Sequence, residues 1–592
     1  MVVNMKKIII TAINASYTHT SLAVRSLAKN CDAQIGTAIE TVEFTINDRA
    51  EKAAAALFLR RDMSVGGTNT YAFSCYIWNI DFVLDVAARL KAVLPDCAIL
   101  LGGPEVSYDA CNIMHKNTFV DYIICGEGER SLAAFARGEN AEGIAGLVYR
   151  SAAKGGIVQN PPLIIADLDT LAPLYTAADI AALAGRMLYY ETSRGCPYNC
   201  SYCLSSTLHG VRFFSLERVF SDLALFIENG ARLVKFVDRT FNCDDTRMQA
   251  ILRFILAKGG DTCFHFEVAA HSLSGEVMAL LASAPKGMFQ LEIGVQSTNA
   301  ETLCAINRIT DTVRLADNVR TLRKANNIHL HLDLIAGLPY EDYASFGQSF
   351  NDVYALEPHA VQIGFLKLLK GSPIRKKMDE YGYITVDTPP YEVLGSKWLG
   401  YGELLRLKDI AELVDRFHNS GVFERSLTYV VHKYTNGGML HTPFGFYERF
   451  AAFWRRSGYS TAQHARVRLY DIFCEFCTAE LLLADALFLD LLKLDFLLNN
   501  RGVRLPVWAC GECGDGGHMP EKTLRGKVFE LLNGEARHRY LPHLDGYDTG
   551  ELYKRIRAEI FNYDVCGGGA IGQNVVLIDA DAKFCIKISE KI

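Results

Sequence analysis

The stretch RGCPYNCSYC, residues 194–203, decides how this chain is read. It sets Cys196, Cys200 and Cys203 in one short loop with the spacing Cys-x3-Cys-x2-Cys. Thiolates are soft ligands suited to iron–sulfur clusters. Three of them on one loop can wrap three corners of a cubane. The fourth iron is then left open, and an amino acid can chelate it through its amine and carboxylate. Zinc and buried free thiols are the competing readings. Zinc would require a fourth ligand, and a Cys-x2-Cys pair alone does not account for Cys196.

Working outward, MLYYETSRG reads as a strand leading into the loop. LVKFVDRTFN, FHFEVAAH, FQLEIGVQS, HLHLDLIAGLP and AVQIGFLKLLKG follow as further strands, separated by helical periods. Their carboxyl ends carry Asp238, Glu267, Glu292, Gln296 and Asp333. A carboxylate in such a place can serve a ligand, or simply accept N–H groups at a helix start.

Upstream, residues 6–150 alternate short apolar runs with helical periods. KKIIITAIN, TYAFSCYIW, CAILLGGPE and DYIICGEGE read as strands. Residues 20–30 and 81–94 read as helices, the second with apolar residues at 83, 86, 87, 90 and 94. This alternation implies an α/β layer with a parallel sheet between helices, whose ligands bind at the carboxyl ends of the strands. Residues 151–184, with KGG, Pro161-Pro162 and Pro173, read as a linker.

The whole chain has 592 residues, which gives a prior of about three or four domains. A net charge of -6 offers no electrostatic case for nucleic-acid binding. The odd count of 17 cysteines, scattered along the chain, reads as reduced thiols and metal ligands in a cytoplasmic protein. The N-terminus carries no signal-peptide pattern. The most apolar stretch, 481–498, is interrupted by Asp485, Asp490, Lys493 and Asp495, so it reads as a buried helix and not a membrane span.

Taken together, these motifs resemble the radical S-adenosylmethionine (SAM) superfamily, in the group that carries an N-terminal cobalamin-binding domain. The cysteine loop, including Tyr202 before its last Cys, is similar to the superfamily's cluster loop, and the strands after it resemble its partial (β/α)6 barrel. By that resemblance LEIGVQS puts Glu292 and Gln296 toward SAM, and LDLIAGLP puts Ile335, Gly337 and Pro339 beside the adenine. Glu267 is a further candidate, and FVDRTFN stands where many relatives have a GGE string. FSCYIWN, LLGGPEVS and CGEGE look like the Rossmann-like cobalamin domain, which points to Ser74, Gly102, Gly103, Pro104 and Glu127 as cobalamin contacts. The Asp-x-His-x-x-Gly motif that ligates cobalt in methionine-synthase-like domains is missing from NASYTHTSLA. His19 is there as a possible lower ligand, against the commoner role of a hydrogen-bonded structural histidine.

The resemblance implies a [4Fe-4S] cluster, SAM and cobalamin as cofactors, and an electron donor such as flavodoxin or ferredoxin. It implies cleavage of SAM to a 5′-deoxyadenosyl radical, hydrogen abstraction, and methyl transfer from methylcobalamin to carbon. Rearrangement or cyclisation without methyl transfer, and a non-catalytic cobalamin- or redox-responsive binding protein, are the alternatives. The substrate, a small molecule or a peptide, is not readable. Residues 395–592 read as a mainly helical domain, similar to the uncharacterised C-terminal extension of one subgroup. It holds Cys474-x2-Cys477 and Cys510-x2-Cys513, readable as a second metal site or as free thiols in a core.

Overall fold

KKIIITAIN is apolar on both sides because it runs through the middle of a sheet covered on both faces. In a computed structural model of the chain, Ile9 and Ile13 point into one hydrophobic layer, and Ile8, Ile10 and Ala12 into the other. The structure describes residues 5–588, apart from 33–37, 65–67, 152, 209, 438–440, 484, 510–520 and 535.

The strands of this first sheet are β1 Met5–Asn14, β2 Ala38–Thr45, β3 Thr68–Ser74, β4 Ala98–Gly102, β5 Tyr122–Ile124, β6 Leu147–Ser151 and β7 Gly156–Gln159. They lie in the order β2-β1-β3-β4-β5-β6-β7. The first five pair in parallel, whereas β6 and β7 add an antiparallel hairpin at the edge. Helices Ala50–Leu59 and Ile80–Val93 bury Leu57, Val83 and Leu90 on one face. Helices Leu22–Asp32 and Glu129–Ala136 bury Val24 and Leu132 on the other. The strand β2 is absent from the sequence reading, and two further details differ. β7 lies inside the stretch read as a linker, and β3 stops at Ser74, so that Cys75 to Trp78 form the loop beyond the strand.

The second sheet is built from β8 Leu188–Tyr190, β11 Leu233–Phe236, β12 Cys263–Val268, β13 Phe289–Gln296, β14 His329–Ala336 and β15 Ala360–Phe365. Its order, β15-β14-β13-β12-β11-β8, is sequential, as an open (β/α)6 barrel requires. Burial alternates along β11, β12, β13 and β14. Phe264, Phe266, Phe289, Leu291, Leu330 and Leu332 are fully buried on the side that packs against helices. The opposite, inward positions are polar: Lys235, His265, Glu267, Glu292, His331 and Asp333. Between β8 and β11 the chain makes a small antiparallel hairpin, β9 Ser193–Gly195 and β10 Val211–Phe213, and the cysteine loop is its connection.

The chain divides into two compact units. One runs to Pro358 and takes up Ile363–Leu404; the other comprises His359–Gln362 and the chain from Leu405 onward. In the second unit, helices precede a three-stranded antiparallel sheet of β16 Ile556–Tyr563, β17 Ile571–Asp579 and β18 Phe584–Lys587. The four charges that interrupt 481–498 are structural ligatures. Asp485 caps helix Ala486–Asn499 at the Phe488 N–H (2.8 Å). Asp490 accepts from the Asn562 and Tyr563 N–H groups, Asp495 accepts from Ser426 N–H and Oγ, and Lys493 pairs with Glu559 at 3.0 Å. Among the described residues no helix is long and apolar enough to cross a membrane.

Candidate active site

The cysteine loop is fixed at its root by backbone geometry and one buried acid. Gly195 has φ +104°, and a Cβ there would sit 2.0 Å from the Gly210 carbonyl oxygen, so only glycine lets β9 and β10 meet just before Cys196. Asp238, at the end of β11, is 1% exposed. It accepts from Thr192 N–H (2.9 Å), Thr192 Oγ1 (2.6 Å) and Ser193 Oγ (2.5 Å). This candidate site acid therefore anchors the turn into the loop. Burial raises its pKa against those hydrogen bonds.

Cys196, Cys200 and Cys203 open on one cavity at the carboxyl ends of the barrel strands, together with Tyr202, Glu267, Glu292, Gln296 and Asp333. Ile335, Gly337 and Pro339 are not in its wall; the Gly337 carbonyl accepts from the Tyr383 hydroxyl. Among the described residues no three His, Cys, Asp or Glu side chains are placed to hold a single metal ion. Thiols spread over a loop suit the separate corners of a cubane better than one tetrahedral ion. Cys474 and Cys477 are buried in a helix and its π-helical continuation, and Cys510 and Cys513 lie outside the described residues.

Among the residues of this cavity that escaped the sequence reading, Arg308 touches the cysteine loop directly. Arg308 is held among Cys200 Sγ (3.7 Å from Nη1), the Tyr202 hydroxyl (3.4 Å) and the Gly294 carbonyl. Gly294 leaves room for the neighbouring Gln296 amide: a Cβ there would lie 2.2 Å from Gln296 Nε2. Gln296 itself has φ 72°, a left-handed conformation that costs a non-glycine residue on the order of 1 kcal/mol or more. Its buried Oε1 has no hydrogen-bond partner among the described residues. A strained glutamine with an orphaned acceptor beside a buried guanidinium fits a polar ligand such as an amino acid.

The acids of the cavity separate into two kinds. Burial opposes ionisation of Glu292, but the hydrogen bonds and charges of His265 (3.1 Å) and Lys235 (2.9 Å) win, and hold its carboxyl at about 2. Neither Glu267 nor Asp333 is paired with a lysine or arginine as Glu292 is; Asp333 has only the His331 ring, at 3.3 Å. Burial, and then the charge of Glu292, push Glu267 up to about 7 and Asp333 up to about 8. Glu292 is thus a fixed anion low in the barrel, while Glu267 and Asp333 carry exchangeable protons beside the cysteines.

The carboxyl ends of the first sheet form a second cleft. Ser74 and Gly102 are register partners at the ends of β3 and β4. Gly103 has φ +107°, and a Cβ on it would meet the Cys75 carbonyl oxygen at 2.5 Å. Pro104 then opens a short helix. Loops following β1, β3 and β4 expose large aromatics: Tyr17 (77%), Trp78 (49%) and Tyr108 (42%). Trp78 stacks on Tyr76 at 4.4 Å, so the loop beyond β3 carries a paired aromatic face. Glu127 stands apart from this group. It pairs with Arg194 (3.4 Å) and with Arg212, and accepts from the Ile165 N–H (2.9 Å). The ring of His19 is hydrogen-bonded to the Tyr189 hydroxyl of β8, the structural role.

The first sheet is tied to the barrel by a charged seam. Arg194, next to the cysteine loop, bonds Glu129 (2.6 Å) and Glu191 (3.0 Å). Glu105, 5% exposed, pairs with Lys370 (2.9 Å) and accepts from the Tyr391 hydroxyl. Tyr108 reaches Thr207 of the cysteine loop at 2.7 Å.

Comparison with known families agrees with this geometry. Residues 8–136 match the B12 binding domain, 190–353 the Radical SAM superfamily, and 379–577 a "Protein of unknown function (DUF4080)" family. The chain belongs to the cobalamin-binding radical SAM proteins. The cofactors of this family are a [4Fe-4S] cluster, SAM and cobalamin. A cobalamin-dependent radical SAM methyltransferase, TokK, from Streptomyces tokunonensis is 26% identical over 345 residues, 54% of this chain and 50% of that protein. The hopanoid C-3 methylase of Methylococcus capsulatus is 27% identical over 297 residues, 47% and 54% of the two chains. The chain spans about half the length of the curated relatives it matches. Among solved structures, the cobalamin-dependent SAM radical enzyme OxsB superposes with a TM-score of 0.56 at 15% identity, over 72% of this chain and 69% of that one. The methyltransferase TsrM from Kitasatospora setae does so with 0.54 at 15% identity, over 66% and 82%. At such identity these two speak for the fold.

Proposed function

We propose that this radical SAM enzyme transfers a methyl group to a substrate carbon. The observation that carries the reading is the joining of two clefts in one unit. The cysteine cavity and the Ser74–Gly103 crevice both sit at strand carboxyl ends, and Arg194, Glu105 and Tyr108 tie the two layers together. Relatives named as methyltransferases support it, among them the hopanoid C-3 methylase.

Cys196, Cys200 and Cys203 would hold the cluster. When bound, the cluster and SAM supply a hydrogen-abstracting radical, and cobalamin carries the methyl group. The remaining work belongs to the chain. Arg308 receives the methionine carboxylate of SAM, Glu267 its ammonium, and Gln296 uses its free acceptor on an N–H or O–H. Ile335, Gly337 and Pro339 flank the adenine side. Ser74, Gly102, Gly103 and Pro104 would cradle the cobalamin tail. The seam of Glu105, Lys370 and Tyr391 excludes water between the layers. Flavodoxin or ferredoxin delivers electrons.

The test is product analysis of the anaerobically reconstituted full chain with reductant, SAM and candidate substrates suggested by neighbouring genes. 5′-Deoxyadenosine together with S-adenosylhomocysteine is expected. Deoxyadenosine alone would favour a cyclisation or rearrangement, a reading that a 23% identical relative, the anaerobic magnesium-protoporphyrin IX monomethyl ester cyclase of Synechocystis, keeps in play. Cobalamin binding with no SAM cleavage at all would leave a non-catalytic sensor.

A further inference from the structure

The second unit contains a pair of thiols that the chemistry above does not use. Cys566 lies in the turn between β16 and β17, and Cys585 in the edge strand β18. Their Sγ atoms are 3.7 Å apart. Strand pairing alone does not bring them together, since Cys585 is in register with Ile578 of β17. The turn itself does, and it is well defined. Asp564 N–H donates to the Ala570 carbonyl (2.9 Å), and the Gly567 and Gly569 N–H groups donate back to the Asp564 carbonyl (3.3 and 3.1 Å). The Asp564 carboxylate then pairs with Lys587 at 2.9 Å. Cys585 and Lys587 share one face of β18, so the ion pair and the thiol pair lie side by side and hold the turn against the strand. Cys566 is exposed and Cys585 partly so, which leaves the pair open to small reagents.

We propose that Cys566 and Cys585 form a redox-active dithiol, a modification site that closes to an intramolecular disulfide by exchange with small-molecule disulfides such as oxidised glutathione. Closing from 3.7 Å to a bond of about 2.0 Å is a side-chain movement. Cys585 is the attacking sulfur. The Cys566 S–H donates to it, and this bond, with the nearby Arg425 guanidinium, draws the Cys585 thiol down to about 7 against its burial. Its thiolate forms an S–S bond with one glutathione sulfur, and the other leaves as a thiolate that takes up the Cys566 proton. Cys566 then attacks the Cys585 sulfur and expels the second glutathione thiolate. The protein loses two electrons, the glutathione disulfide gains them, and two glutathione molecules are released.

The experiment equilibrates the anaerobically purified full chain in glutathione buffers of increasing oxidised fraction, quenches in acid, alkylates, and maps peptides by mass spectrometry. A cross-linked Cys566–Cys585 peptide is expected, rising tenfold in disulfide-to-dithiol ratio per about 30 mV. Cys566→Ser should trap glutathione on Cys585, and Cys585→Ser should take up glutathione on Cys566 at least about tenfold more slowly. Complete alkylation of both thiols at every ratio, or cross-links of either one to other cysteines instead, would overturn the proposal.

Discussion

Cys200, one of the three cysteines we propose as cluster ligands, lies 3.7 Å from Arg308. Cys200→Ala should abolish SAM cleavage, measured as 5′-deoxyadenosine, because three thiolates are the minimum that leaves one open iron. Asp333 makes a different prediction. An unfolded aspartate ionises near 3.9, whereas the folded Asp333 holds its proton up to about 8. The folded state thus binds this proton more tightly. Its contribution to stability is present below the unfolded pKa and is lost as pH rises toward the folded one. Apo Asp333→Asn should therefore lose less stability than the parent between pH 4 and 8, by several kcal/mol in principle and less once neighbours relax. Denaturant titrations at fixed pH values check it, and parallel slopes would count against the shifted acid. At this scale the sequence was legible where spacing alone encodes chemistry, as in the cysteine loop. Arg308 was not, because a single arginine in AINRIT gains meaning only when the fold sets it against Cys200 and Tyr202. Glu127 was misleading for the opposite reason: its motif fits a cofactor domain, while its carboxylate faces Arg194 and Arg212.

The elements show the same division. The barrel strands β12, β13 and β14 were readable because apolar and polar residues alternate along them, and the central strand β1 because it is apolar on both faces. β2 was missed because its edge position leaves every one of its side chains at least partly exposed, so no burial pattern marks it. Strand β7 was taken for linker because the KGG that leads into it resembles a break; the KGG is in fact part of the connection from β6. The hairpin that presents the cysteine loop depends on Arg194, whose side chain is 14% exposed among Glu129, Glu191 and Glu127. Removing one partner of a buried ionic group typically costs about 3–5 kcal/mol. Arg194→Leu should destabilise the protein by about that amount near pH 8, read from denaturant midpoints. The loss should shrink at low pH, where the orphaned carboxyls take up protons; a pH-independent loss would assign the effect to packing.

At the scale of the whole molecule, the division into two compact units predicts two calorimetric transitions. Added hydroxocobalamin should raise the one that belongs to the unit containing Ser74 and Gly103. The gain is about 2.7 kcal/mol at a ligand concentration a hundred times Kd, and the other transition should stay in place. A common shift of both would show that the units unfold together.

The inward charges of the barrel also make the protein an acid that waits for its cation. Glu267 and Asp333 keep protons near neutrality because burial and the charge of Glu292 oppose their ionisation, while Lys235 is bonded to Glu292 and not to them. A sulfonium and an ammonium arriving together would supply the missing charge, and the two carboxyls would let go of their protons. Binding of SAM should then acidify an unbuffered solution by up to about two protons per site near pH 7. Its apparent enthalpy should change with the ionisation heat of the buffer.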